Sequence, residues 1–181
     1  KEAMQASQAK MTTTGDITVE QAADYYAVTL PEITVTDMEG DRTHLGFIAI
    51  NATPTNNPDN WKMSVAIPTP ILRKDAQGKT TTEINIGSQR MVGLWLGRMQ
   101  NFSQLKASYK DIVATTQPKN NRFNIGDISI LVNLEETKEG LWSGPSKITL
   151  SDMSVDTPEE EDVLNLGEAV LLATITDIDP L

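Results

Sequence analysis

In the stretch "FNIGDISILVNL", residues 123–134, Phe123 and Ile125 fall on one parity, and Ile128, Ile130, Val132 and Leu134 fall on the other. Alternation with period two marks a strand. A change of parity inside it means that the strand ends, turns or bulges there. Gly126 sits at the change. A glycine within a strand marks a bulge or a bend, so Asn124-Ile125-Gly126 is read as a structural bulge that re-aims the strand, in preference to a ligand-binding loop.

The same shape recurs. Asn85-Ile86-Gly87 and Asn165-Leu166-Gly167 repeat it, and His44-Leu45-Gly46 echoes it, so that Gly46, Gly87, Gly126 and Gly167 lie 41, 39 and 41 residues apart. A near-constant interval of that size predicts a repeated supersecondary unit. Each glycine is preceded by a strand-like segment and a polar breaker. The segments are Ile33–Asp37, Ile71–Asp75, Leu105–Val113 and Ile148–Asp152, and the breakers are Glu39–Asp41, Ala76–Gly78, Gln117–Asn121 and Asp156–Glu159. Such breakers are turn chemistry, and the unit reads as a hairpin. The segments "ITVTDM" at 33–38 and "ITLSDM" at 148–153 agree at four of six positions, and both change parity beside their Asp.

Elsewhere the pattern is less uniform. Residues 92–104, "VGLWLGRMQNFSQ", place Leu94, Trp95, Met99 and Phe102 at spacings that predict one short amphipathic helix. The segment 1–15 is expected to be flexible or helical. Within 16–30, Thr18 and Gln21 could cap a helix, but the β-rich run Tyr25–Leu30 ahead of Pro31 favours a hairpin. The resulting fold is mainly β: an antiparallel meander of about ten to twelve strands with one or two short helices, forming one domain over 16–181. The sheet is expected to be curved, as an open barrel or a sandwich.

Composition narrows the function. The chain has 181 residues, 39% of them apolar, and a formal charge of −10, which is globular and disfavours nucleic acid or an anionic membrane as partner. It has no cysteine, so disulfides and thiolate chemistry are excluded. The longest apolar run, Ala169–Ala173, is far too short to span a bilayer. The opening Lys1-Glu2-Ala3-Met4 is read as a chain whose leader has been removed or trimmed.

Catalytic signals are weak. His44 is the single histidine, and no strained nucleophile turn accompanies it. The acidic run Glu159–Asp162 lacks the alternation of a calcium loop and is read as a solvated turn. No metal or cofactor site is expected. The sequon-like Asn51-Ala52-Thr53 carries little information beside Pro54. Trp61, Trp95 and Trp142 are read first as sheet-end or core residues, with ligand stacking as the functional alternative. Trp95, Met99, Phe102 and Trp142 are the candidates for contacting a hydrophobic ligand.

The segments "YYAVTLPEITVTD", "EINIG" with "GLW", and "RFNIGDISI" with "GLWSGPSKITLSDMSV" resemble Gram-negative envelope proteins, in the style of the AsmA-like and YdgA-like periplasmic β-sheet families. The resemblance covers roughly residues 24–178. It implies a periplasmic or secreted location, an upstream signal or anchor, and lipid handling along a groove; the family pattern is often longer, which implies one piece of a larger protein. The expected function is therefore non-catalytic binding of a lipid or an envelope protein. The alternatives are a purely structural assembly module and, less favoured, a carboxylate-based hydrolase.

Overall fold

The computed structural model describes residues 9–159 and 164–179. They form one antiparallel sheet of 14 strands that does not close on itself. The chain crosses this sheet in nine passes, each pairing with the next. The first pass holds β1 (Lys10–Thr14) and β2 (Thr18–Gln21), and the second holds β3 (Tyr26–Thr29) and β4 (Glu32–Thr36). The third holds β5 (Arg42–Gly46) and β6 (Ala49–Pro54), and the fourth β7 (Asn60–Ala66) and β8 (Ile71–Lys74). Four of the next five are unbroken strands of 15 to 17 residues: β9 (Thr80–Leu96), β10 (Asn101–Thr116), and, after β11 (Asn121–Asn133) and the short β12 (Glu135–Glu136), β13 (Trp142–Asp156) and β14 (Leu164–Ile178).

The strand count exceeds the expected ten to twelve because the first four passes are interrupted midway. The second breaks at Leu30-Pro31 and the fourth at Ile67-Pro68-Thr69-Pro70. Proline has no N–H to give to a ladder, so Pro31, Pro68 and Pro70 cannot donate across it, although Leu30 N still donates to Ile48 O at 2.9 Å. Side chains fill the gap in the fourth pass. The Gln89 amide accepts from Ile67 N at 2.9 Å and donates to Ile67 O at 2.6 Å, and Thr69 Oγ1 accepts from Ile86 N at 3.1 Å.

The later passes cross the same transverse line differently. Lys110 pairs with Ser88 and Ile112 with Ile86, which sets Asp111 opposite Gly87. By the same register Asp111 faces Gly126, Gly126 faces Asp152, and Asp152 faces Gly167. Both aspartates are left-handed, each with φ of 53°. A Cβ on Gly87 would lie 2.8 Å from the Asp111 Cβ, and one on Gly126 would lie 2.9 Å from that of Asp152. Gly87 and Gly126 are there to clear the tilted aspartates, whereas a Cβ on Gly167 would meet nothing within 4 Å. The expected bulges at Gly87, Gly126 and Gly167 are therefore corrected: a bulge inserts a residue and shifts register, whereas pairing here keeps one register on both sides of the kink. At Gly46 the register does shift, since Ile33 pairs with Gly46 and Thr34 with His44, which leaves Leu45 as the extra residue of a bulge. Gly46 ends β5 at the same line with φ of 68°, against Pro68.

Turns follow the polar breakers. Asp37 Oδ1 accepts from Glu39 N and Asp41 N at 3.0 Å, and Asp75 Oδ1 accepts from Gln77 N at 3.0 Å and Lys79 N at 2.8 Å. Arg73 pins the first of these turns through Asp37 and Asp41 at 2.8 and 3.0 Å. The likeness of "ITVTDM" to "ITLSDM" does not carry into equivalent positions, since Asp37 makes a turn and Asp152 sits inside β13. Residues 18–29 form the expected hairpin.

Two expectations fail. Residues 92–104 are not a helix: Val92–Leu96 end β9, Gly97–Met99 form a single 3-10 turn, and β10 begins at Asn101. Backbone pairing of Trp95 with Phe102 and of Trp61 with Trp95 takes the place of helical hydrogen bonds, which the apolar spacing alone could not foresee. Residues 10–14, expected to be flexible or helical, pair with β4. Residues 1–8 lie outside the described part, as do Glu160, Glu161 and Asp162 of the acidic run. Among the described residues no helix is long and apolar enough to cross a membrane.

Among the described residues the buried apolar cluster is small, and it sits at one rim. Leu96, Met99 and Leu134 are buried there against Leu94, Val132, Trp142, Ile175 and Ile178. Leu134 N donates to Ser103 O at 2.7 Å, which ties two hairpin ends together. The rest of the sheet is a single layer. The accessible surface of 12214 Å² is about 40% above the roughly 8,600 Å² of a compact monomer of this mass.

Candidate functional site: an uncovered apolar face

Directly paired residues in neighbouring strands project to the same face of a sheet. Tracing such pairs from one edge to the other gives the row Val19, Val28, Ile50, Val65, Met91, Ala107, Ile130, Ile148, Leu171, one residue from each pass. Every member is apolar. At about 4.8 Å per strand the row is roughly 38 Å long. The adjacent row on the same face runs Tyr26, Ala52, Met63, Gly93, Leu105, Val132, Ser146, Ala173, and the row on its other side includes Tyr109, Ile128 and Leu150.

The opposite face differs in kind. Its row next to the apolar one reads Glu20, Ala27, Asn51, Ser64, Val92, Lys106, Leu131, Lys147, Leu172. Lys62, Arg90 and Lys106 on this side line a hollow of about 680 Å³ whose floor is backbone at Gly93 and its neighbours. That hollow is larger than the one at the aromatic corner described next, and it is mixed in character: Val92, Leu94 and Leu131 line it together with Lys62, Arg90, Lys106 and Asn133. Ala107, by contrast, is 1% exposed with no second layer above it, so the side chains of the apolar face shelter one another.

Aromatic residues close one corner of the apolar face. A hollow of about 380 Å³ is lined by Val19, Tyr26, Val28, Ala52, Trp61, Met63, Trp95 and Gly97. Tyr26 meets Trp61 edge-on at 6.0 Å, and Trp95 meets Phe102 edge-on at 5.3 Å. A Cβ on Gly93 would lie 2.6 Å from the Phe102 ring, so the missing side chain is what admits that ring. Burial raises the Tyr109 hydroxyl above its ordinary pKa, and this hydroxyl donates to Met91 Sδ at 3.6 Å.

The four expected ligand contacts divide into two groups. Trp95 and Phe102 belong to the apolar face. Met99 and Trp142 belong to the rim core, where the Arg98 guanidinium lies 5.6 Å from the Trp142 ring centre and Arg98 also pairs with Glu136 at 2.8 Å. Trp61, Tyr26, Met91 and Ala107 were not among the four. Their signal was present as strand alternation, but only the register of all nine passes assembles it into a row.

Catalytic geometry is not assembled around His44. Its Nδ1 lies 3.3 Å from Thr34 Oγ1 and 3.6 Å from Glu32, a ladder contact between strands. Among the described residues no three His, Cys, Asp or Glu side chains are grouped to hold a metal. No family model matches the chain, and no curated protein or solved structure matches it.

Proposed function

We propose that this is a non-catalytic protein of the cell envelope, periplasmic or secreted, that binds a lipid along the apolar face of its sheet. The observation that carries this reading is the unbroken apolar row from Val19 to Leu171, left without a covering layer. Val19 and Leu171 are exposed, and the members between them are half-buried, or buried at Ala107, with no layer above them; uncovered apolar surface of this kind marks an interaction site. Covering it returns about 25 cal/mol for each Å² of apolar area. The aromatic corner at Trp61 and Trp95 supplies rigid stacking surface beside the row, and the acyl part of a lipid has the length and flexibility to follow it.

Native mass spectrometry of protein purified without detergent, with organic extraction of the same sample, tests the reading. The expected result is co-purifying lipid whose removal shifts Trp61 and Trp95 emission to longer wavelength. Ile130→Glu, which sets a charge at a half-buried position in the middle of the row, is expected to abolish lipid retention while the circular dichroism of the sheet persists. Clean protein that also fails to take up added phospholipid would overturn it in favour of an assembly module.

A further inference from the structure

Among the described residues β14 is a sheet edge of a kind that folded proteins rarely leave open: it spans 15 residues and pairs there with β13 alone. Natural edges are blunted by lysine, proline, bulges or short length. Between Leu164 and Ile178 there is no lysine, arginine or proline, and residues 169–176 carry no charge. Leu171 is 60% exposed and Leu172 is 72% exposed, on opposite faces of this strand. The other edge is different: β1 and β2 are five and four residues long and are parted by Gly15-Asp16-Ile17.

We propose that β14 pairs antiparallel with β14 of a second copy, about a two-fold axis at Leu171. Three features select this occupant. Leu171 is the final member of the full-width apolar row, and an axis there sets it against its own counterpart, so the rows of both copies join on one face. The same register puts Glu168 opposite Thr174 and Asp177 opposite Asn165, so no carboxylate meets another. In a chain of charge −10, the uncharged run 169–176 is where two copies approach without mutual repulsion. Docking β14 onto β1 and β2 would instead meet the break at Gly15. The pairing uses backbone groups of the edge and stands whether or not the apolar face carries lipid.

Light scattering on the full chain over a concentration series, before and after lipid extraction, tests the pairing. A dimer is expected in both samples. Leu171→Lys or Leu171→Glu opposes like charges at the axis, and each is expected to weaken the dimer by about tenfold or more. Mixing the two variants is expected to restore it as a heterodimer. Because the chain has no native cysteine, Leu171→Cys is expected to yield a disulfide-linked dimer under mild oxidation, which serves if a charged variant misfolds. A monomer at every concentration, open-ended oligomers, a mixture that stays monomeric, or no cross-link through Cys at 171 each overturn the proposal.

Discussion

The first four passes and the last five meet the same transverse line and handle it in opposite ways. In residues 10–74 every pass is left as two short strands, and in the second and fourth the ladder is interrupted where Pro31, Pro68 and Pro70 withdraw donors. In residues 80–178 the ladder continues, because left-handed Asp111 and Asp152 bend β10 and β13 against Gly87 and Gly126 without losing register. A sheet can thus be kinked by deleting hydrogen bonds or by pairing a strained residue with an empty space. The first solution leaves a gap that side chains must bridge, and the second leaves a continuous strand that tolerates no added carbon.

The largest effect is expected in the continuous half. Gly126→Val drives a branched side chain into Asp152 and should lower stability by about 3 kcal/mol in denaturant unfolding. Adding Asp152→Gly to that variant should recover most of the loss, since it removes both the obstacle and the left-handed strain. If it does not, the paired explanation of the kink fails. In the interrupted half the comparable residue is the bridge. Gln89→Ala deletes both bonds to Ile67 and should cost about 1–2 kcal/mol, with faster amide exchange at Ile67 and little change at Lys110 or Ile112.

Pro68→Ala is expected to cost only about 0.5 kcal/mol, because the segment makes no ladder bond for proline to have spoiled. A large loss there would show that the break depends on Pro68 for more than its missing donor. The smallest effect concerns pH. The folded pKa of Tyr109 is raised by burial, so the neutral hydroxyl is the favoured form in the fold. Its contribution to stability is complete below the unfolded value near 10 and is lost as pH rises through the folded value. Alkaline unfolding should therefore be less steep in Tyr109→Phe, and a lipid over the apolar face should push the Tyr109 titration, followed by ultraviolet absorbance, further upward.

How much of this was legible beforehand varies by residue. Alternation in 128–134 and the breakers at Glu39–Asp41 and Ala76–Gly78 already specify strands and hairpins, because side-chain period and turn chemistry are local properties. The glycine spacing correctly drew attention to one line across the sheet. It did not show that the left-handed residues would be the aspartates opposite, since φ at Asp111 depends on what faces it. The helix expected over 92–104 failed for a similar reason: Leu94, Trp95, Met99 and Phe102 match helical spacing, and only pairing with distant partners such as Trp61, more than thirty residues earlier, shows that they belong to two strands and the turn between them.

The amino-acid order by itself determined that this chain makes antiparallel strands, where they turn, and that aromatic and aliphatic side chains alternate with polar ones along them. Only the tertiary structure decided that Val19 and Leu171 stand in one row, that Trp95 parts company with Trp142, and that the row has nothing packed over it. The physical reason is reach. Period and turn preference act over a few bonds, whereas register and layer number arise from pairings between strands distant in the chain, each fixed only when all the others are in place.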